Sequence, residues 1–565
     1  MNTGGGRNRW PPMRSESLTA NSTITTAELR SSSKSAMAMP SVARLPSASW
    51  VGYAYTRVLT SPQFAPVLLV AVLVSEFGVL FFEASRKHFW YDELVTFHVS
   101  GLQPFPLVWK ALQAGVDAMP PGYYALVRFM RMFPGDPLVT LRVPSIVGYL
   151  MTLLGVYWFA RKRLPAFAGL TAVLLTTLSP FREYALEARS YALLVGSLAI
   201  SAVLWQRIGE KRLMTPLFAL FLILAVSCHY LAVVAISVFG AAELTRSLLS
   251  RRIRWWVWST FPLATFPFFV SLPILLHFRD VFGKNFWSQP SWGMVMSTYG
   301  TYLGLGSTLE LVLIALFGLV AGDSLLRMWR APEDRALDER DFGPHEIVLV
   351  GGFLYFPILL VVLTKLMHSG YSPRYGWPAI LGMVLGSVYL VRTIWLKPSS
   401  IYLLVALLFA FAYQSGEDVR WKLYKVPSSK VETRWSSVAE LSHSEPSIPV
   451  VIGSPIAYLE AAEYAPPELR SRLVEVVDAG SATRLVESDT PDKTNRLLAQ
   501  FLPLRVEDLA AFQAAHQKFL LYSGGRSYDW FTRYLLESGY HLRLLSKDAD
   551  SSLYIVSTIN GEIAP

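Results

Sequence analysis

The sequence predicts a polytopic α-helical membrane protein that ends in a small soluble α/β domain. Three observations carry that expectation. Only 16% of the 565 residues are charged and 52% are hydrophobic, against about 25% charged in an ordinary soluble domain; mean hydropathy is +0.36. Apolar runs of nearly bilayer-spanning length recur from about residue 65 to residue 414. Beyond residue 415 the charge density becomes ordinary and the apolar stretches shorten to strand length.

Eleven spans are expected, at about 65–84, 143–160, 166–181, 190–206, 214–229, 230–245, 256–276, 308–326, 346–364, 376–391 and 399–414. The division at Cys228-His229-Tyr230 has no turn cluster to mark it. Basic residues orient the set. Arg7, Arg9, Arg14, Arg30, Lys34, Arg44 and Arg57 precede span one. Later clusters are Arg161-Lys162-Arg163, Arg207 with Lys211 and Arg212, Arg246 with Arg251, Arg252 and Arg254, Arg327 with Arg330, and Arg392 with Lys397. With eleven spans they share one side, which the positive-inside rule makes the cytoplasm. The net charge of +10 is therefore a topology signal and does not point to nucleic acid.

Residues 1–60 read as a disordered cytoplasmic tail, rich in Ser, Thr, Arg and Pro and without an apolar stretch. No cleaved signal peptide is expected, so span one acts as an uncleaved anchor. Residues 61–414 form the membrane domain and 415–565 an extracytoplasmic α/β domain. There Pro449–Gly453, Lys518–Tyr522 and Ser552–Val556 read as buried strands. Asp492–Leu502 and Ser527–Gly539 read as amphipathic helices, and Gly524-Gly525 as a tight turn. No internal repeat is visible. Cys228, the only cysteine, permits no intrachain disulfide and reads as a packing residue. Trp255-Trp256 and Trp287/Trp292 read as interfacial belts.

With this topology the long loop 85–142 and the turns at Ser179–Ser190, His229 and Lys365–Gly376 face outward with the C-terminal domain. They hold the chemistry. Asp92-Glu93 sits beyond the mouth of span one, where carboxylates are costly and mark a site more often than they fill space. The same loop carries Asp117-Ala-Met-Pro-Pro-Gly-Tyr-Tyr124 and Leu141-Arg-Val-Pro-Ser145. The turn after span three reads Ser179-Pro-Phe-Arg-Glu-Tyr-Ala-Leu-Glu-Ala-Arg-Ser-Tyr191, in which Arg182 and Arg189 share a face if the stretch is helical. His229-Tyr230 and Tyr371-Ser-Pro-Arg-Tyr375 complete the set. Carboxylates here can deprotonate or orient a hydroxyl, and guanidinium forks can grip a phosphate. A substrate with a lipid tail, a phosphate and a sugar fits such a groove. The competing readings are structural: Arg182 and Arg189 pair with Glu183 and Glu187, Arg374 anchors the interface, and His229 packs. Glu76 is expected to face the bundle and Glu83 the surface, neither as a catalyst.

The acidic pair Asp92-Glu93, Pro120-Pro-Gly-Tyr-Tyr124, Arg142-Val-Pro-Ser145, Tyr184-Ala-Leu-Glu-Ala-Arg-Ser-Tyr191 and Pro373-Arg-Tyr375, in that order and on one side, resemble the GT-C membrane glycosyltransferases. More narrowly the pattern is similar to the branch holding the protein O-mannosyltransferases and the lipid A aminoarabinose transferases. The resemblance covers roughly residues 65–415. It departs at Met119, where that family often has His before the Pro-Pro pair.

The resemblance implies a polyprenyl-phosphate sugar as donor, an acceptor hydroxyl on a protein, lipid or polysaccharide, and inversion at the anomeric carbon. It implies Asp92 as general base, with Glu93 orienting Asp92 or contacting the acceptor. Arg189, Arg374 and Tyr375 would hold the lipid phosphate, and Tyr123, Tyr124, Glu187, His229 and Tyr230 would line the substrate groove. No His/Cys cluster suggests a fixed metal, although acidic loops leave room for a divalent cation held with the phosphate. The expected location is a bacterial inner membrane, with membrane lipids around the spans. A transporter or flippase of a lipid-linked sugar is the alternative, weakened by the one-sided polar residues and the lack of paired repeats. An outward sensor would not need eleven spans.

Overall fold

The computed structural model describes residues 63–208, 212–283, 286, 288–303, 342–392, 400–424, 430–524 and 528–557. The tail 1–60, span 308–326, Lys211, Trp287, Arg327, Arg330, Lys397 and Gly525 lie outside the described residues.

A helical bundle and a C-terminal sheet make up the described chain. Among the described residues four helices are long and apolar enough to cross a membrane: Phe64–Ala84, Pro137–Arg161, Ala232–Ser250 and Trp255–Phe282. Two more result if the bent pairs Pro180–Leu186 with Tyr191–Arg207 and Pro344–Leu354 with Phe356–Leu366 each count as one span. Ala166–Thr177, Met214–Cys228 and Ala379–Leu390 are apolar but shorter. The first helix shows how sequence sets position. Leu69, Val72, Glu76, Leu80 and Glu83 turn inward, while Val67, Val70, Val74, Phe77 and Phe81 are exposed. A long exposed apolar stripe is tolerable where the surroundings are hydrocarbon.

Glycine sets the tightest contact of the bundle. Helix Val143–Arg161 packs along helix Tyr191–Arg207. A Cβ on Gly148 would lie 2.3 Å from Leu193 Cα, and one on Gly196 would lie 2.1 Å from the Gly148 carbonyl oxygen. Backbones approach this closely only where both faces carry small residues. The contact matters to the outer mouth, because Ser145 Oγ donates to the Arg189 carbonyl at 2.8 Å just above it.

Loop 85–142 is folded into short helices: Tyr91–Gly101, Phe105–Gln113, Pro121–Met130 and Pro137–Thr140. At the opposite end of the bundle a second polar knot closes the fold. Glu346 takes Arg163 at 3.0 Å, Gln206 Nε2 at 2.8 Å and the Gly343 amide at 2.8 Å.

The stretch Ser179–Ser190 is not the continuous helix that would put Arg182 and Arg189 on one face. Pro180–Leu186 is a 3₁₀ helix, Glu187 is extended, and the chain bends by 114° before Tyr191–Arg207. Arg182 therefore turns into the bundle and Arg189 into the mouth. Arg182 meets Glu76 at 3.2 Å, Glu83 at 2.8 Å and Asp418 at 3.0 Å. Glu83 is thus buried and not at the surface. Neither arginine takes Glu183 or Glu187 as its hydrogen-bonded partner among the described residues.

The last bundle helix, Ser400–Tyr424, runs through residue 415, and Lys430–Ser442 leads into the sheet. The strands are β1 Val450–Ile452, β2 Leu473–Val477, β3 Val506–Asp508, β4 Lys518–Ser523, β5 His541–Lys547 and β6 Ser552–Ser557. Their spatial order is β3-β2-β1-β4-β6-β5. β3, β2, β1 and β4 run parallel, and β6 and β5 add antiparallel pairs. Alternate residues feed two cores. Leu520, Tyr522 and Ile555 pack with Trp435 on one face; Phe519, Leu521 and Val556 pack with Trp530 on the other. Both faces being covered explains the near-continuous apolar strands. The anticipated helices appear as Thr490–Leu498 and Trp530–Glu537.

Two outcomes follow from this packing. Gly196→Val should cost at least about 1–3 kcal/mol by overpacking and lower the melting temperature in detergent. Gly240→Val should leave it unchanged, since a Cβ there meets nothing within 4 Å. The second concerns pH. Asp492 is buried and accepts from Trp530 Nε1 at 2.7 Å, and burial pushes its carboxyl up to about 7. A raised carboxyl pKa stabilises the fold fully below the ordinary aspartate range, and that contribution is lost as pH rises through 7. Asp492→Asn keeps an acceptor for the indole. It should flatten the pH slope of thermal stability between about 4 and 7 and raise the melting temperature above pH 8. Parallel slopes for both proteins would show that Asp492 does not hold the proton.

Candidate active site

Three consecutive residues of the Tyr91–Gly101 helix face three different neighbours. Tyr91 points into the C-terminal domain, where its hydroxyl lies 3.1 Å from both the Pro491 carbonyl and Asn495 Oδ1. Asn495 in turn donates to Glu475 Oε2 at 2.9 Å and to the Pro455 carbonyl at 2.8 Å. Asp92 points the other way and meets Arg374 through Oδ2. Glu93 points down into the bundle and meets Arg142.

The Glu93–Arg142 pair is fully buried and saturated. Arg142 Nε and Nη2 fork onto the two Glu93 oxygens at 2.8 and 2.9 Å. The remaining donors go to the carbonyls of Ala84, Lys87, His88 and Leu138 at 2.6–3.2 Å. Glu93 also accepts the Ala188 amide at 2.7 Å and the Trp90 amide at 3.3 Å. The expectation that Glu93 orients Asp92 or touches the acceptor is corrected by this arrangement. Both its oxygens are spent, and a helix turns the neighbouring side chain about 100° away. Its role is to hold the loop.

The open part of the mouth carries two carboxylate–guanidinium pairs. Arg374 stands on the 3₁₀ turn Pro373–Gly376, meets Asp92, and lies 5.6 Å from the Trp90 ring centre. Arg189 holds Asp117 in a fork, at 2.7 and 3.2 Å, and touches the Asp92 carbonyl at 3.2 Å and Thr96 Oγ1 at 3.1 Å. The Tyr124 hydroxyl donates to Asp117 Oδ2. The two pairs are thus joined through the backbone of Asp92. Arg189 keeps one buried N–H, on Nε, with no partner in the structure. The ring of Tyr375 lies 5.2 Å from His229 and 6.3 Å from Tyr191, forming an aromatic wall beside the pairs. Glu187 sits in the turn between the spans, its carboxyl pushed up to about 7 by burial, with Lys87 opposing the rise. One of its oxygens is buried and unpartnered.

The structure therefore brings together Asp92, Arg189, Arg374, Tyr375, Tyr124, Glu187 and His229. Tyr230 packs its ring 6.4 Å from Phe268 on the Thr260–Phe282 helix, with Asp117 near enough to act on its phenol. Tyr123 is completely buried behind the mouth. Sequence reasoning named Asp117, Arg142 and Tyr191 within its motifs without giving any of them a role, and missed Trp90. It also missed Tyr528, which stands between β4 and helix Trp530–Glu537 with φ +71°. Burial raises the Tyr528 phenol, with Arg374 opposing the rise and Asp92 adding to it. Among the described residues no group of three or more His, Cys, Asp or Glu side chains is placed to hold a metal ion.

The saturated pair gives a sharp test. Arg142→Met leaves Glu93 buried and unpaired, a loss of roughly 3–5 kcal/mol, and should abolish stable expression. The double variant Arg142→Met/Glu93→Leu removes the orphaned charge and should recover most of the melting temperature. Failure of the double variant to exceed the single one would show that Glu93 bears no buried charge.

No family model and no curated protein matches the chain. Solved structures similar in shape include ArnT from Cupriavidus metallidurans bound to undecaprenyl phosphate, at 14% identity and a TM-score of 0.47, covering 86% of this chain and 97% of that one. The Archaeoglobus fulgidus oligosaccharyltransferase in complex with Zn and sulfate is similar at 12% identity and a TM-score of 0.44, covering 86% and 72%. AglB of the same organism, in complex with an inhibitory peptide and a dolichol-phosphate, is similar at 11% and 0.41, covering 88% and 75%. These are GT-C glycosyltransferases; at such identities and scores they are distant likenesses of shape and carry no role across to individual residues.

Proposed function

We propose that this chain is an inverting glycosyltransferase that moves a sugar from a polyprenyl-phosphate donor to an acceptor hydroxyl at the outer face of the membrane. The observation that supports this reading above the others is the pairing of Asp92 with Arg374 and Asp117 with Arg189 at one mouth of the bundle. Two cations and two carboxylates, adjoining and largely shielded from water, are what displacement of a phosphate by a hydroxyl needs.

The donor phosphate competes with Asp92 and Asp117 for the two guanidinium groups, which bind phosphate as readily as carboxylate. An Arg374 turned to phosphate leaves Asp92 facing the acceptor. Asp92 then takes the hydroxyl proton as the acceptor oxygen bonds to the anomeric carbon. The bond from that carbon to the phosphate oxygen breaks, and the electron pair leaves on polyprenyl phosphate. That leaving group is a weak base and needs no proton donor; its charge is met by Arg189 and Arg374. One general base is worth about 10²–10⁴-fold, and a single base separates this scheme from two-carboxylate glycoside hydrolysis.

The reading routes no step through a divalent cation. The bilayer orientation, with the bundle end bearing Arg163, Arg207 and Arg251 in the cytoplasm, follows from the positive-inside rule and belongs to the same proposal.

Asp92→Asn should lower turnover by at least about 10²-fold while the protein still inserts and binds donor. Arg374→Ala should chiefly weaken donor binding. The measurement is release of polyprenyl phosphate from a labelled lipid-linked sugar in detergent. An intact carrier moved between leaflets, with none released, would make the chain a flippase, and near-normal turnover of Asp92→Asn would remove the base assignment.

A further inference from the structure

A pocket of about 550 Å³ lies at the end of the bundle away from the Asp92 mouth, where helix Ala232–Ser250 ends and the chain turns into Trp255–Phe282. The turn is made by Arg251 in the left-handed conformation, with φ +49°. The Arg251 and Arg252 amides close back onto the carbonyls of Leu248 and Ser247 at 3.3 and 3.2 Å. This puts two consecutive arginines on the pocket rim, both exposed. Among the described residues neither has an acidic partner; Glu243, one helical turn back from Ser247, is taken by Arg246 and by Trp205 Nε1.

The polar groups of the wall are of one kind. Ser247 is more than nine-tenths buried, and its hydroxyl has no partner. The Trp258 indole N–H is also buried and unpartnered. Among the described residues no carboxylate lines the pocket. A hydroxyl and an indole N–H without partners share this wall with two arginines, and buried donors are costly without an acceptor. The rest of the wall is apolar: Leu244, Leu248, Ile253 and Trp255 line it and are exposed, Trp255 by 71%. A free inorganic anion would gain nothing from these side chains, whereas an acyl chain would cover them.

We propose that this pocket binds an anionic phospholipid, with the headgroup phosphate between Arg251, Arg252, Ser247 and the Trp258 N–H, and the acyl chains over Leu244, Leu248 and Trp255. The site is separate from the Asp92 mouth and does not depend on what is transferred there. Basic, aromatic-edged pockets between spans are suited to such lipids, and each arginine near a headgroup adds to the attraction. Two of them correspond to roughly thirtyfold in affinity.

The test is native mass spectrometry of the full-length protein in a neutral detergent, titrated with phosphatidylglycerol, phosphatidylcholine or inorganic phosphate. Phosphatidylglycerol should be retained through one saturable site and phosphatidylcholine should not. R251Q/R252Q should weaken phosphatidylglycerol retention by roughly thirtyfold. A charge-matched R161Q/R207Q variant, altered on the same end of the bundle but outside the pocket, should bind as wild type. Retention unchanged in R251Q/R252Q would overturn the proposal, as would an equal loss in R161Q/R207Q, which would mean that only the charge of that face matters. Inorganic phosphate displacing the lipid at equal concentration would make the site one for a free anion and would also overturn it.

Discussion

The outer half of this molecule depends on one buried ion pair. Arg142 enters the second long helix of the bundle, and Glu93 lies on the first turn of the loop helix Tyr91–Gly101. Their fork, together with four carbonyls spent on Arg142, ties the end of the first span, the external loop and the second span to one point. The Ala188 amide, donating to Glu93, adds the turn that carries Arg189. A buried pair of this kind is a weak source of stability compared with apolar packing. Its value lies in direction, since a planar guanidinium fixes where each bonded carbonyl must stand. Everything that approaches the mouth is referred to that plane.

With the helix so fixed, adjacent residues acquire unrelated duties. A helix turns about 100° per residue, so Tyr91, Asp92 and Glu93 cannot share a neighbour. Tyr91 engages Asn495 and Pro491, Asp92 engages Arg374, and Glu93 engages Arg142. The soluble domain is thereby joined to the carboxylate at the mouth by a single residue of backbone. Phe89, whose amide donates to the Tyr464 hydroxyl at 2.9 Å, makes a second tie. The C-terminal sheet is therefore part of what orients Asp92, and Tyr528 brings the same domain within electrostatic reach of the Asp92–Arg374 pair.

Much of this was legible in the chain, for a physical reason that also marks where legibility stops. Spans are written locally: an apolar run such as Phe64–Ala84 has one stable fate in hydrocarbon. Strands β1, β4 and β6 were readable because their residues are apolar in sequence. β2 was not, because Glu475 interrupts Leu473–Val477, and only the distant Asn495 satisfies it. The polar residues of the mouth were found from their place at span ends. Their partners were not, because Asp92 and Arg374 are 282 positions apart and Asp117 and Arg189 are 72 apart. The 3₁₀ break at Pro180–Leu186 hid in the same way. Helical spacing of Arg182 and Arg189 looked like a shared face, but Arg182 is claimed by Glu76 and Glu83 on the first helix. Once it is held inward, the chain can reach Asp117 only by bending.

The contrast between these two arginines carries the last step. Arg182 and Arg142 are surrounded by fixed acceptors, and neither can turn to a ligand without exposing a buried carboxylate. Arg374 and Asp92 are 18% and 21% exposed, so that aspartate can be resolvated when its partner leaves, whereas Arg189 at 6% is as closed off as Arg182. The cost of separating charges falls steeply as water gains access. Exchange is thus cheaper at the Asp92–Arg374 pair than at the pairs behind it, although the same two chemical groups occur in both places. Partial exposure sets Arg374 apart from the arginines that build this protein, while Arg189 differs from Arg182 in its partners, Asp117 and the Asp92 carbonyl, and not in burial.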